Sequence, residues 1–143
     1  MKLTTTLNLI KTHNCCHDGY HKLVTHLGGL KKYGADEPID LVIILDCNGV
    51  GDCLWAFRAT AEPSQHLARR IADEISASLL ELYGTFSNSN EVREAMFFAR
   101  GYAASATWTA YESGVTIWSR GTLAVSWPAE SAKHARIIRA WLE

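Results

Sequence analysis

Glu37-Pro38-Ile39-Asp40-Leu41-Val42-Ile43-Ile44-Leu45-Asp46-Cys47-Asn48-Gly49 is the stretch on which the fold class turns. Its apolar centre, Leu41 to Leu45, reads two ways, because a continuous run rich in β-branched residues suits a strand buried on both faces. Proline favours the other reading. Pro38 at a first helical position, acids around it, and Leu41, Ile44 and Leu45 on one face describe a helix that Asn48-Gly49 then ends. Asp52 is placed to cap a further short helix carrying Leu54, Trp55 and Phe57.

Working outward, the same signals recur on both sides. Thr5 or Thr6 can cap a helix through Leu7 and Ile10, and Asp18 a second one. In that second helix Tyr20, Leu23, Val24 and Leu27 repeat at helical spacing until Gly28-Gly29, which leaves Leu30 just beyond it. The clearest helix is expected from Pro63 to about Tyr83, where Leu67, Ile71, Ile75, Leu79 and Leu82 form one apolar stripe. Its other face carries Arg69 four residues before Asp73 and Arg70 four before Glu74, the pattern of a solvated surface. Ser87 to Asn90 reads as a loop before a helix beginning near Glu91, with a break between Gly101 and Ser105. Pro128 is expected to start a final helix with Ala135, Ile138, Trp141 and Leu142 turned inward. For residues 106 to 127 two readings compete: a helix, or a hairpin turning at Ser119-Arg120-Gly121-Thr122. The class expected is therefore mainly α, a helical bundle of six to seven helices, becoming α+β if residues 115–127 form the hairpin.

Composition places this among globular domains. With 143 residues, 48% of them hydrophobic and 20% charged, the chain is long enough for one domain with its own core. An N-terminal helical module, 1–61, and a second one, 62–143, are expected to pack together within it. No leader or membrane-length apolar run is read, so the expected location is the cytoplasm. The adjacent Cys15 and Cys16, with Cys47 and Cys53, suit reduced and mostly buried thiols rather than a disulfide framework. Charge is uneven: residues 1 to 35 hold five lysines and one acid, whereas residues 36 to 62 hold six acids and only Arg58. Folding is expected to bring these two segments together.

Candidate chemistry is sparse. His13, Cys15, Cys16, His17 and His21 are residue types that bind zinc, and His17 and His21 lie one helical turn apart. A structural site wants two separated ligand pairs, and no second pair follows, so no metal is expected. Asp46 to Asp52 imitates the start of a calcium loop, but Val50 and Phe57 stand where that loop needs an oxygen donor and a bidentate glutamate. Helix termination followed by capping accounts for the same residues. No strained nucleophile turn and no phosphate-cradling glycine loop occurs, so neither enzyme activity nor a cofactor is expected. The lysine-rich first third, with Tyr20 and Tyr33, makes only a weak case for nucleic acid. The five tryptophans, Trp55, Trp108, Trp118, Trp127 and Trp141, suit the core, and beside that reading a partner surface is read for Trp108, Tyr111, Trp118 and Arg120, because a small, polar stretch cannot hide every aromatic it carries. With the acidic Asp36, Glu37 and Asp40 these form the candidate partner-binding set.

Two groups of residues carry a resemblance. Asn14-Cys15-Cys16-His17-Asp18-Gly19-Tyr20, Asp36-Glu37-Pro38 and Ile44 to Arg58 resemble a module of small phage and prophage proteins of unassigned role. Ala68 to Glu74 and Glu94 to Ala103 are similar to helical proteins labelled as immunity proteins. The resemblance implies a long alanine-rich helix after residue 103, from which Gly114, Gly121 and the β-branched residues at 115–117 depart. It implies no catalytic residue. By association it implies a non-enzymatic inhibitor of a bacterial defence complex, of the anti-CRISPR kind, that binds a host protein complex such as a CRISPR effector subunit. The alternatives are an immunity protein that neutralises a toxin and, third, a metal-dependent enzyme. Oligomeric state is not legible, a dimer being among the open states.

Overall fold

The computed structural model describes residues 2–83 and 127–143. Seven α-helices lie among these residues: α1 Leu7–Thr12, α2 His17–His26, α3 Leu30–Tyr33, α4 Leu41–Asn48, α5 Val50–Ala56, α6 Gln65–Tyr83 and α7 Trp127–Leu142. A single 3-10 turn, Phe57–Ala59, follows α5, and two short strands, β1 Thr4–Thr5 and β2 Ile39–Asp40, pair antiparallel with Thr4 opposite Asp40. The protein is mainly helical. The hairpin reading of residues 115–126 and the helix expected from Glu91 fall outside the described residues, while Trp127 opens α7.

The decisive stretch is a helix that starts later than its proline suggests. Pro38 lies ahead of β2, and the cap is Asp40, whose carboxylate accepts from the Val42 N–H at 3.1 Å. A two-residue strand therefore precedes the helix, because the extended backbone at 39–40 pairs with β1 before the chain turns. Leu41, Ile44 and Leu45 are buried, as their spacing predicts. Two other caps also differ from expectation. Cys16 rather than Asp18 caps α2, its Sγ accepting from the Gly19 N–H at 3.3 Å, and Gly49 rather than Asp52 precedes α5. Asp18 and Asp52 instead sit in first turns, where a carboxylate favours the positive end of the helix. Thr6 caps α1 as expected, accepting from Leu9 N–H at 3.1 Å.

Gly49 makes the sharp α4–α5 corner. Its φ of +94° lies where an L side chain is strained, so one residue both ends α4 and starts α5. The two helices pack on each other, and α4 also touches α2 and α7. Leu3, Leu7, Leu41, Leu54, Phe57, Ile71, Ile75 and Ile138 are fully buried in one continuous cluster, each contributing about 1.5–3 kcal/mol by leaving water.

The N-terminal segment is pinned from two sides. Leu41 N–H donates to Leu3 O at 3.1 Å, and Ala61 N–H to Thr4 O at 2.8 Å. Glu62 accepts from both the Thr4 N–H and the Thr4 hydroxyl, each at 2.7 Å. The first of these contacts, rather than burial, holds the Glu62 carboxyl below its ordinary range. The basic and acidic segments do meet, through Lys2 with Asp40 at 3.4 Å and Asn8 with Asp36 at 2.7 Å.

Helices α6 and α7 pack together around a buried polar group. Ser78 donates its hydroxyl to Glu130 Oε1 at 2.7 Å, and the fully buried His134 meets the same oxygen through Nε2 at 2.9 Å. Burial pushes the His134 pKa down, against the pull of Glu130. At the surface, Trp141 Nε1 donates to Glu74 at 2.7 Å, and Arg139 pairs with Asp46 across to α4. Among the described residues no helix is long and apolar enough to cross a membrane.

Candidate functional site

The two sequence groups that lie apart in the chain, Asn14 to Tyr20 and Ile44 to Arg58, fold against each other around one cleft of about 400 Å³. Its floor and walls come from α1, α2, α4 and α5. Ile10, Leu23, Ile44 and Ala56 supply apolar surface, Tyr20 and Trp55 supply rings, and Asn48 with Asp52 supplies the polar end. Asn14, in the left-handed region at φ +57°, turns the chain between α1 and α2 at its edge. Asparagine tolerates that conformation better than most side chains.

A three-way latch holds the polar end. Asn48 Nδ2 donates to the Gly19 carbonyl and to Asp52 Oδ2, both at 2.8 Å. Two acceptors on one nitrogen fix the amide orientation, since the flipped form would set oxygen against two oxygens. Asn48 Oδ1 is consequently buried without a partner. An orphaned amide oxygen of this kind costs about 1–3 kcal/mol. Gly19 is required by close approach: a Cβ there would sit 2.6 Å from Asp52 Oδ2 and 3.0 Å from Cys16 Sγ. A glycine inside a helix, costly by propensity alone, is what lets α2 settle onto Asp52.

The thiols differ in setting. Cys53 is fully buried, Cys15 and Cys47 are half-buried, and Cys16 is exposed, so the expectation of mostly buried thiols holds only for Cys53; all four are free. Burial raises the Cys53 thiol far above its ordinary value, and desolvation also raises Cys15, with Cys16 beside it adding to the effect. Both stay protonated and weakly nucleophilic at neutral pH. The rings of His17 and His21 stack at 6.2 Å on the exposed face of α2. Among the described residues no three of His, Cys, Asp and Glu converge where a metal ion could sit. Of the apparent calcium loop, Asp46 turns away to Arg139, while Asn48 and Asp52 hydrogen-bond to each other.

Of the partner-binding set, Asp36 and Glu37 are exposed on the turn before β2, with Asp36 held by Asn8. Asp40 is committed to capping α4 and pairing with Lys2. Trp108, Tyr111, Trp118 and Arg120 lie outside the described residues. Of this set the described residues are Asp36, Glu37 and Asp40 alone; what the described residues add is the cleft, which residue types alone do not announce. The available signal was the helical Gly19, a costly residue inside a helix that marks close packing.

No family model matches the chain, and no curated protein or solved structure matches it.

Proposed function

We propose that this protein acts by stoichiometric binding to another protein, as an inhibitor of a bacterial defence complex working in the host cytoplasm. The observation that carries the binding reading is the cleft lined by Tyr20 and Trp55: concave, largely apolar, with a few polar groups among its lining. Sites of this size and make-up accept a single anchoring group, and tyrosine and tryptophan are the residue types that most often dominate interface energy. The latch around Asn48 supports it further, because a recess preformed in the free protein spends less ordering entropy on binding. The acidic turn at Asp36 and Glu37 adds an exposed charged surface on the same N-terminal part.

The class of partner comes from the resemblance to phage proteins. It is tested by expressing the protein in a CRISPR-immune strain and plating the targeted phage. Restored plaque formation is the expected result, and its loss in a variant with Tyr20 and Trp55 both replaced by alanine would tie it to the cleft. Unchanged plating across defence types counts against the reading. A second reading, neutralisation of a toxin, is favoured by the likeness of residues 68–74 and 94–103 to immunity proteins. Protection of cells from a co-encoded toxin, without any effect on phage plating, would select it.

A further inference from the structure

Resting on the proposed binding role, a more specific property follows from the polar end of the cleft. Asp52 is half-buried there and makes no ion pair among the described residues; among them, its carboxylate accepts one hydrogen bond, from Asn48 to Oδ2. Oδ1 makes no hydrogen bond among the described residues, and Asp52 is half-buried rather than enclosed. Asn48 adds a buried carbonyl oxygen with no donor, while its Nδ2 is already spent on Gly19 and Asp52. Between these two side chains acceptors therefore exceed free donors, and one of the acceptors is a carboxylate. Each ring of the walls already has a cation of the protein itself at one face, Lys11 Nζ 5.3 Å from the centre of the Tyr20 ring and the Arg58 guanidinium 5.1 Å from that of Trp55. Neither cation is paired with Asp52. Arg58 Nε donates instead to the Trp55 carbonyl at 3.1 Å.

We propose that the cleft receives an arginine side chain from the surface of the partner, its guanidinium donating to Asp52 and its stem lying along Ile10, Leu23 and Ile44. Guanidinium fits better than ammonium. It is planar and stacks on rings, it brings five donors to a site rich in acceptors, and its weaker hydration makes the half-buried position less costly to enter. An acidic anchor is disfavoured because it would bring a second carboxylate against Asp52. The charge pairing is partly screened by solvent, so the stem and the rings share in the affinity.

The test is a two-dimensional amide NMR titration of the full chain with Nα-acetyl-arginine amide and, in parallel, Nα-acetyl-citrulline amide. Citrulline keeps the shape of the side chain and removes its charge. Saturable shifts at Gly19, Asn48, Gly51 and the Trp55 indole are expected with arginine, with citrulline binding about tenfold more weakly, the loss expected for one charged hydrogen bond. Asp52→Asn should bind arginine about tenfold more weakly while melting within a few degrees of the parent. Equal binding of arginine and citrulline to the unaltered protein overturns the proposal, and that comparison does not depend on the variant folding. Shifts confined to residues outside the cleft overturn it equally. Plaque or toxin protection that survives Asp52→Asn, in a protein shown to be folded, removes the arginine anchor and leaves the binding role standing.

Discussion

Gly19 shows how far a single hydrogen atom can shape a surface. In an ordinary helix Gly→Ala stabilises by about 1 kcal/mol. Here the new methyl group would meet Asp52 Oδ2 at 2.6 Å, and that oxygen is tethered by Asn48. Gly19→Ala is therefore expected to destabilise by about 1–2 kcal/mol in urea denaturation, as overpacking does elsewhere. In an Asp52→Ala background the same substitution should cost clearly less, the remaining close approach being 3.0 Å to Cys16 Sγ, which separates this cause from any general intolerance of α2. Propensity identifies Gly19 as anomalous, but its reason is an aspartate 33 positions later, and no local pattern contains that contact.

At the scale of elements, α1 to α5 are short, at 4 to 10 residues each, so caps and contacts matter more than propensity there. Asp40 caps α4 and also pairs with Lys2. Asp40→Ala should cost about 1 kcal/mol by loss of the cap, with little added from the exposed ion pair, measured as a shift in denaturation midpoint at constant slope. Ile138 is fully buried in α7 within the main core cluster. Truncation to alanine should cost about 2–5 kcal/mol, the spread reflecting how far neighbouring helices can close the cavity. Helix α6 was legible almost to its ends, since a 19-residue amphipathic stripe is a strong periodic signal. The cap residues of α2 and α5 were not, because Cys16 and Asp18, or Gly49 and Asp52, are each acceptable near a helix start. Which one serves depends on where the preceding chain comes from.

At the scale of the molecule, stability should follow pH through two groups. The His134 pKa is depressed from 6.5 by burial, so below pH 6.5 the unfolded chain takes up a proton that the native protein resists. Stability then falls as pH drops from 6.5 through the lowered native value, and levels off below it. Glu62 is depressed from 4.5 by its contacts with Thr4, so its contribution is present above 4.5 and is lost as pH falls through its native value. Melting temperature plotted against pH should show both limbs. His134→Gln should remove the upper limb and leave the lower one in place.

The amino-acid sequence by itself determined that the chain is mainly helical, that Leu41, Ile44 and Leu45 in α4, Leu67, Ile71 and Ile75 in α6, and Ile138 and Leu142 in α7 face inward, and that its first third and the acidic segment after it would meet. Those properties follow from periodicity and charge, which are local or summed along the chain. It did not show that His134 is buried or that Ala135 and Trp141 are only half-buried. The stretch from Glu37 to Gly49 shows the boundary of such reasoning: its helical class was readable from Pro38 and the apolar face, yet its start at Leu41 was not. Pairing of Ile39–Asp40 with Thr4–Thr5 decides that start, and it joins residues 34 and 36 positions apart. Only the tertiary structure decided that Asn48 would bind Gly19 and Asp52 and so form a cleft with a charged end. Such a site depends on distances between segments, and no period or propensity along the chain encodes them.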